Sequence, residues 1–233
     1  MTEKKTELAK KIYLYIGGLF ITSLVVSNLI FQKFFYWRPF EFTVFGNQLF
    51  ELSVGILPYP ITFLITDLIS EIYGKKKANQ IVIAGLFASF FSMGILWMAN
   101  VVPALSNSPI DDATFQTVFA LSPVAVLASM MAYLGAQFVD IRLYHFWKKL
   151  TEGRMLWLRN NFSTFSSQFI DTFSVISLLS LFGVLEWDLF WGLVLSGFLF
   201  KVLIAALDTP LLYLFVFLFR KKFNLKPTDE LKI

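Results

Sequence analysis

The side chains most able to do chemistry in this chain stand where the surrounding sequence is apolar. Asp67 and Glu71 sit in the run ITFLITDLISEIYG, Asp140 in YLGAQFVD, Asp171 in SSQFIDTF, and Lys201 and Asp208 in GFLFKVLIAALDTP. Asn28, Gln137 and Gln168 add uncharged polar groups to similar runs. Carboxylates accept hydrogen bonds and carry protons, amides donate and accept side by side, and an ammonium donates. Such a set can recognise a polar solute. Covalent chemistry is another matter. The chain has no Cys and one His, His145, which neighbours Trp147 and is assigned no role. It has no His-Glu-x-x-His, no Gly-x-Ser-x-Gly, no paired metal-ligand motif and no Gly-rich phosphate loop. The expectation is a binding or transport site, not an enzyme, with no cofactor and no metal.

The spacing places these groups on shared helix faces. Asp67, Ser70, Glu71 and Gly74 follow i, i+3, i+4, i+7. Tyr133, Gln137, Asp140 and Tyr144 line a second stripe, and Thr164, Gln168 and Asp171 a third. Gln137-Phe-Val-Asp140 recurs as Gln168-Phe-Ile-Asp171. A charge at the centre of a bilayer costs about 2.5–3.5 kcal/mol on insertion scales. These groups are therefore expected to meet inside a helix bundle, against one another, water or a solute. Glu71 and Asp140 are the weakest members, because both stand near basic residues, Lys75–Lys77 and Arg142, that could neutralise them. The bland alternative is a set of buried pairs that only lock helices together, with Lys201 neutralising one Asp.

The elements that must position these stripes are membrane helices. Hydrophobic residues make up 57% of the chain and charged residues 15%, and the mean hydropathy is +0.66. A soluble domain has roughly 25% charged residues, so lipid is the expected solvent for the outer faces. Six spans are expected: Ile12–Lys33, Leu52–Tyr73 with Pro58 and Pro60 inside it, Ile81–Val102, Pro123–Phe146 with Ser122 as N-cap, Phe162–Leu185, and Leu189–Phe219. Basic residues alternate between the connections. Lys4, Lys5, Lys10 and Lys11 precede the first span, and Lys75–Lys77 follow the second. Arg142, Lys148, Lys149, Arg154 and Arg159 surround the link between the fourth and fifth spans, and Arg220, Lys221, Lys222, Lys226 and Lys232 follow the sixth. Loop 103–121 and the Glu186–Asp188 link have no Lys or Arg. The positive-inside rule then puts both termini in the cytoplasm. The expected fold is thus an all-α, six-span membrane protein forming one domain over 1–233, with cytoplasmic tails 1–11 and 220–233. Residues 40–52 alternate around Gly46-Asn47 and allow either an outer β-hairpin or an irregular loop.

The motifs taken together resemble a known family. Ser27-Asn28-Leu29, Tyr59-Pro60-Ile61-Thr62-Phe63-Leu64-Ile65-Thr66-Asp67 continuing to Glu71-Ile72-Tyr73-Gly74, Ala128-Ser129 through Ala132-Tyr133, Gly135, Gln137 and Asp140, Ser166–Thr172, and Phe200-Lys201 are similar to the queuosine precursor transporter family, also called the vitamin uptake transporter family. The resemblance implies an importer, in the cell (inner) membrane, of 7-cyano-7-deazaguanine or related 7-deazaguanines for tRNA modification. It also implies substrate-binding roles among Asn28, Asp67, Tyr133, Gln137, Asp140, Gln168, Asp171 and Lys201. A carboxylate can accept both N–H groups on one edge of such a base, an amide can serve O6 and a ring nitrogen, and Tyr133, Phe169 or Phe173 could stack on the ring.

The expected partners are a small deazapurine base and the lipid bilayer, with no nucleic acid. A homo-oligomer is left open. A secondary transporter working by alternating access is the leading expectation. The rival is a substrate-binding membrane subunit energised by a separate ATPase chain. An intramembrane enzyme or a passive channel fits the residues less well.

Overall fold

The computed structural model describes residues 3–31, 33–36, 43–44, 47–48, 51–119, 123–183, 185–226 and 229–231. Among them run seven helices: α1 (Glu3–Ile30), α2 (Tyr59–Ile72), α3 (Lys75–Val101), α4 (Asp112–Phe119), α5 (Pro123–Leu150), α6 (Leu156–Leu181) and α7 (Phe190–Phe223). Two small antiparallel pairs join α1 to α2. β1 (Phe34–Tyr36) pairs with β4 (Glu51–Ser53), and β2 (Thr43–Val44) with β3 (Asn47–Gln48). Of the two readings of residues 40–52, the described residues favour the hairpin, with Asn47 in a strand opposite Val44, while Gly46 lies outside the described residues. Most helices extend beyond the apolar runs. α1 begins at Glu3, so the lysines before the first run are already helical. Ser122, the expected cap of α5, lies outside the described residues.

The second run is built differently from the rest. Its apolar stretch divides into β4, a 3-10 turn at Val54–Ile56, and α2. Pro58 is the N-cap of α2 and Pro60 is in its first turn, where the backbone N–H groups have no intrahelical partner in any case. The prolines therefore start the helix and do not kink it. With 14 residues, α2 is about 21 Å long, shorter than the roughly 30 Å hydrocarbon layer. The preceding turn is locked to the end of α1. The Ser27 hydroxyl donates to the Gly55 carbonyl, and a Cβ on Gly55 would lie 2.7 Å from both Phe31 Cβ and the Ser27 carbonyl oxygen. At the other end Gly74, with φ of +83°, lets α3 start almost at once after α2.

α2 is the central helix. It packs against α1, α3, α5 and α7, while α6 lies between α5 and α7. Of the span Val54–Ile72, 61% is buried, against 17% for the spans of α3 and α7. Half of what α2 buries is polar, since Thr62, Thr66, Asp67, Ser70 and Glu71 face inward beside Phe63, Ile65, Leu68, Ile69 and Ile72. Leu14, Leu19, Phe87, Phe91, Trp97, Leu207 and Phe217 face outward. So many large apolar side chains on the outside suit a lipid solvent. Among the described residues four helical segments are long and apolar enough to cross a membrane: α1, α2 with its leading turn, α3, and α7 with the turn at Trp187–Leu189. α5 and α6 match them in length, with 28 and 26 residues, but carry the polar stripes that lower their hydropathy.

Both chain ends gather at one end of the bundle. Tyr73 Oη donates to the Ala9 carbonyl at 2.9 Å and Tyr13 Oη to the Lys77 carbonyl at 3.0 Å. The C-terminal segment returns to the same place, where the Leu231 N–H donates to the Ile72 carbonyl at 2.7 Å. We refer to this as the basic end. Because the Gly55 contact is backbone against backbone, Gly55→Ala is expected to separate α1 from the turn before α2, at a cost of about 1–3 kcal/mol. A lowered unfolding temperature in detergent checks this, with Gly94→Ala, whose added Cβ meets nothing within 4 Å, as the control.

Candidate functional site: an inward polar stripe and a crevice beside α2

α6 supplies the largest polar face. Arg159/Asn160, Ser163/Thr164, Ser167/Gln168 and Asp171/Thr172 recur every four residues, and all eight are buried. Pairs at this spacing fall on one side of a helix, so the stripe turns toward α2, α5 and α7. Two distinct arrangements result, one closing the basic end and one lining a crevice.

At the basic end the hub is Glu71, which is fully buried. Arg159 Nη2 donates to its Oε1 at 2.6 Å, Arg220 reaches the same oxygen, and Tyr144 Oη donates to Oε2 at 3.0 Å. Lys148 Nζ lies 3.7 Å from Oε2, donates to the Glu71 carbonyl, and also pairs with Glu230 at 3.1 Å. Arg159 Nη1 donates to the Gly153 and Arg154 carbonyls, both at 2.9 Å, and its Nε to Tyr144 Oη at 3.4 Å. One carboxylate thus joins α2, α5, α6, α7 and the C-terminal segment. The sequence correctly suggested that Glu71 is neutralised, but its cations come from distant helices and not from Lys75–Lys77. Arg159, counted from sequence among loop charges, is a buried helix residue.

The crevice runs along α2 between α6 and α7. Its walls include Tyr59, Phe63 and Asp67 from α2, Asn160, Thr164 and Gln168 from α6, and Phe200, Lys201 and Asp208 from α7. It measures about 440 Å³ with its mouth included. Lys201 Nζ lies 2.5 Å from Asp171 Oδ2 and 5.1 Å from the centroid of the Tyr59 ring. Thr164 Oγ1 lies 3.4 Å from Asp67 Oδ2. Gln168 Oε1, Asp171 Oδ1 and Asp67 Oδ1 are buried without a donor from the described residues. Unpaired buried acceptors are costly. Here they lie on or beside a cavity wall, where N–H groups of a solute could reach them.

The structure thus brings Asp67, Gln168 and Lys201 to one crevice, with Asp171 holding Lys201. The other residues singled out from sequence lie elsewhere. Asp140 is buried behind Asp67 and meets Ser167 Oγ at 3.0 Å, not Arg142. Gln137 donates to Tyr133 Oη at 2.9 Å. Asn28 and Tyr133 line a separate, smaller cavity whose shared wall with the crevice is Tyr59. Phe169 and Phe173 stack on each other and are largely exposed. The aromatic walls of the crevice are instead Tyr59, Phe63 and Phe200. Tyr59, Asn160 and Arg159 were not assigned roles from sequence. The four-residue recurrence along α6 was the available signal for the latter two.

This architecture, with apolar faces outward and an acid- and amide-lined crevice inside, is that of a multi-pass membrane protein. Residues 53–215 match the profile of the vitamin uptake transporter family, and the chain belongs to that family. It is 27% identical over 208 residues to a "probable queuosine precursor transporter" of Bacillus subtilis (strain 168), covering 83% of this chain and 90% of the relative. It is 26% identical over 156 residues to a protein of the same name from Haemophilus influenzae, covering 63% of each. No solved structure matches the chain.

Removing the charge at the hub tests its weight. Glu71→Gln leaves Arg159 buried beside Arg220 and Lys148 without their shared anion. The expected loss is about 3–5 kcal/mol, observed as a lowered unfolding temperature of the purified protein. An unchanged value would show the hub to be dispensable.

Proposed function

We propose that this protein imports a queuosine precursor, 7-cyano-7-deazaguanine or a related 7-deazaguanine, across the cell (inner) membrane for tRNA modification. In this reading six helices, α1, α2, α3, α5, α6 and α7, cross the bilayer, the basic end faces the cytoplasm, and the whole chain acts as one transport domain. The positive-inside pattern supports the orientation, and the names of the two relatives support the substrate class. The observation that carries the proposal is the crevice, where Asp67, Gln168 and Lys201 converge beside aromatic rings.

The chemistry suits a flat base with donors on one edge and acceptors on the other. Asp67 offers its free oxygen to the N1–H and exocyclic N–H groups, a charge-assisted pairing. The Gln168 amide serves a further donor and acceptor. Lys201, steadied by Asp171, presents an ammonium to O6. Tyr59, Phe63 and Phe200 provide the apolar and aromatic walls that such sites use. The enclosed part of the crevice admits only a few waters, so α2 and α7 must part for a base to enter. That motion, matched by an opposite one at the basic end, is alternating access by a secondary transporter. The Glu71 hub holds the basic end closed in this state.

The direct test uses a host that cannot synthesise the deazaguanine. Expression of this chain with supplied 7-cyano-7-deazaguanine is expected to restore queuosine in its tRNA. Asp67→Asn and Gln168→Ala are expected to lower uptake by about 10-fold or more, since each loses a hydrogen bond to a buried or charged group, while membrane levels stay normal. Unchanged uptake in both variants would sink this assignment of the site.

A further inference from the structure

We propose that Asp67 and Asp140, in contact between α2 and α5, form a proton-carrying site that couples solute entry to inward proton movement. The proposal rests on the importer reading above and adds its energy source.

The two carboxyl groups face each other where α2 packs on α5, close enough to interact directly. Asp140 is 0% exposed and Asp67 3%. Two carboxylates in contact and out of water cannot both be ionised at little cost, so a direct bond between them holds a proton. Asp67 Oδ1 and Asp140 Oδ2 receive no N–H or hydroxyl donor from the described residues. Their other oxygens are met only by neutral hydroxyls, Thr164 at 3.4 Å for Asp67 and Ser167 at 3.0 Å for Asp140, with Ser163 also beside Asp140. No cation pairs with either acid among the described residues.

The ionisable groups facing the pair come from every neighbouring helix. α2 contributes Glu71, whose cations Arg159, Arg220 and Lys148 are engaged at the hub. α5 contributes Tyr133 and Tyr144. α6 contributes Asp171, already paired with Lys201, and α7 contributes Asp208. The nearby groups thus leave the second charge of the pair uncompensated. A metal cation is a poorer fit than a proton. The crevice walls include Asp67 but not Asp140, and among the described residues no third acid or His joins the two carboxylates to hold a metal ion.

Asp67 belongs to both the crevice and the pair, and this makes the coupling. In an empty crevice Asp67 faces water, and the pair can release its proton. A neutral base in the crevice displaces the water and uses Asp67 as an acceptor. The proton is then required on Asp140. Solute and proton therefore bind together and leave together, by linkage. Each neutral base would carry one proton, taken from water on the outer side and returned to water on the inner side, so transport moves one positive charge.

The test is made with the purified full chain in proteoliposomes and radiolabelled 7-cyano-7-deazaguanine. Wild type is expected to accumulate the base when the lumen is alkaline, and a proton ionophore should reduce accumulation by about 10-fold or more, as expected where the gradient is the driving force. Asp140→Asn should lose gradient-driven accumulation yet keep counterflow of preloaded base within about 3-fold, because the base does not contact Asp140 and exchange needs no net proton transfer. Asp140→Glu, which restores a carboxyl, should regain gradient-driven accumulation. Accumulation that ignores the ionophore, or that follows a sodium gradient or ATP instead, overturns the coupling in wild type alone. Loss of counterflow in both Asp140 variants overturns it too. Wild type that neither binds nor exchanges the base defeats the importer reading itself, whereas exchange without gradient dependence defeats only the proton site.

Discussion

A carboxylate at the depth of a bilayer has no water to solvate it, so its charge must be met from within the protein or cancelled by a proton. The arrangement of this fold follows from how that demand is met at different acids. Glu71 is met by cations from three different helices. Asp171 is met by a single lysine. Asp67 and Asp140 are met by each other. Burying a charge without such partners would cost several kcal/mol, so these contacts constrain where α2, α5, α6 and α7 stand relative to one another.

The three solutions differ in what they allow the protein to do. The Glu71 hub has several cations around one anion, and the loss of any one contact leaves others in place. It also ties down the C-terminal segment through Lys148 and Glu230. Such a node stabilises one arrangement of the helices. The Asp171–Lys201 pair is a single contact at the edge of a crevice, and Lys201 also lies over the Tyr59 ring. A lone pair of this kind can be exchanged for contacts to a solute. Among the described residues the Asp67–Asp140 pair has no cation beside it.

The short α2 connects these sites. Its first turn is set by two prolines and by the clasp between Ser27 and Gly55, and its last turn by Gly74. Between them Asp67 and Glu71 stand one helical turn apart, one on the crevice and one at the hub. A shift of α2 by part of a turn would be felt at both. This is a packing relation through one rigid element and not a chain of loosely coupled contacts.

Much of this was legible in the sequence. Composition and charge clustering pointed to apolar helices with both ends together, because lipid and the membrane surface select residue types that need no tertiary context. The intramembrane acids and amides were legible as candidates because their presence in apolar runs is costly whatever surrounds them. The motif around Tyr59–Gly74 located the central helix. Partnership was not legible. Glu71 stands four residues before Lys75 in sequence but pairs with Arg159 and Arg220, and Asp140 stands beside Arg142 but meets Asp67 and Ser167. Neighbours on a helix point to different faces, and only helix packing brings residues separated by 27 to 149 positions into contact. The sequence by itself therefore determined which groups must avoid lipid. The tertiary structure alone decided which of them neutralise each other and which are left facing a crevice, because a side chain's energy out of water depends on its neighbours in space.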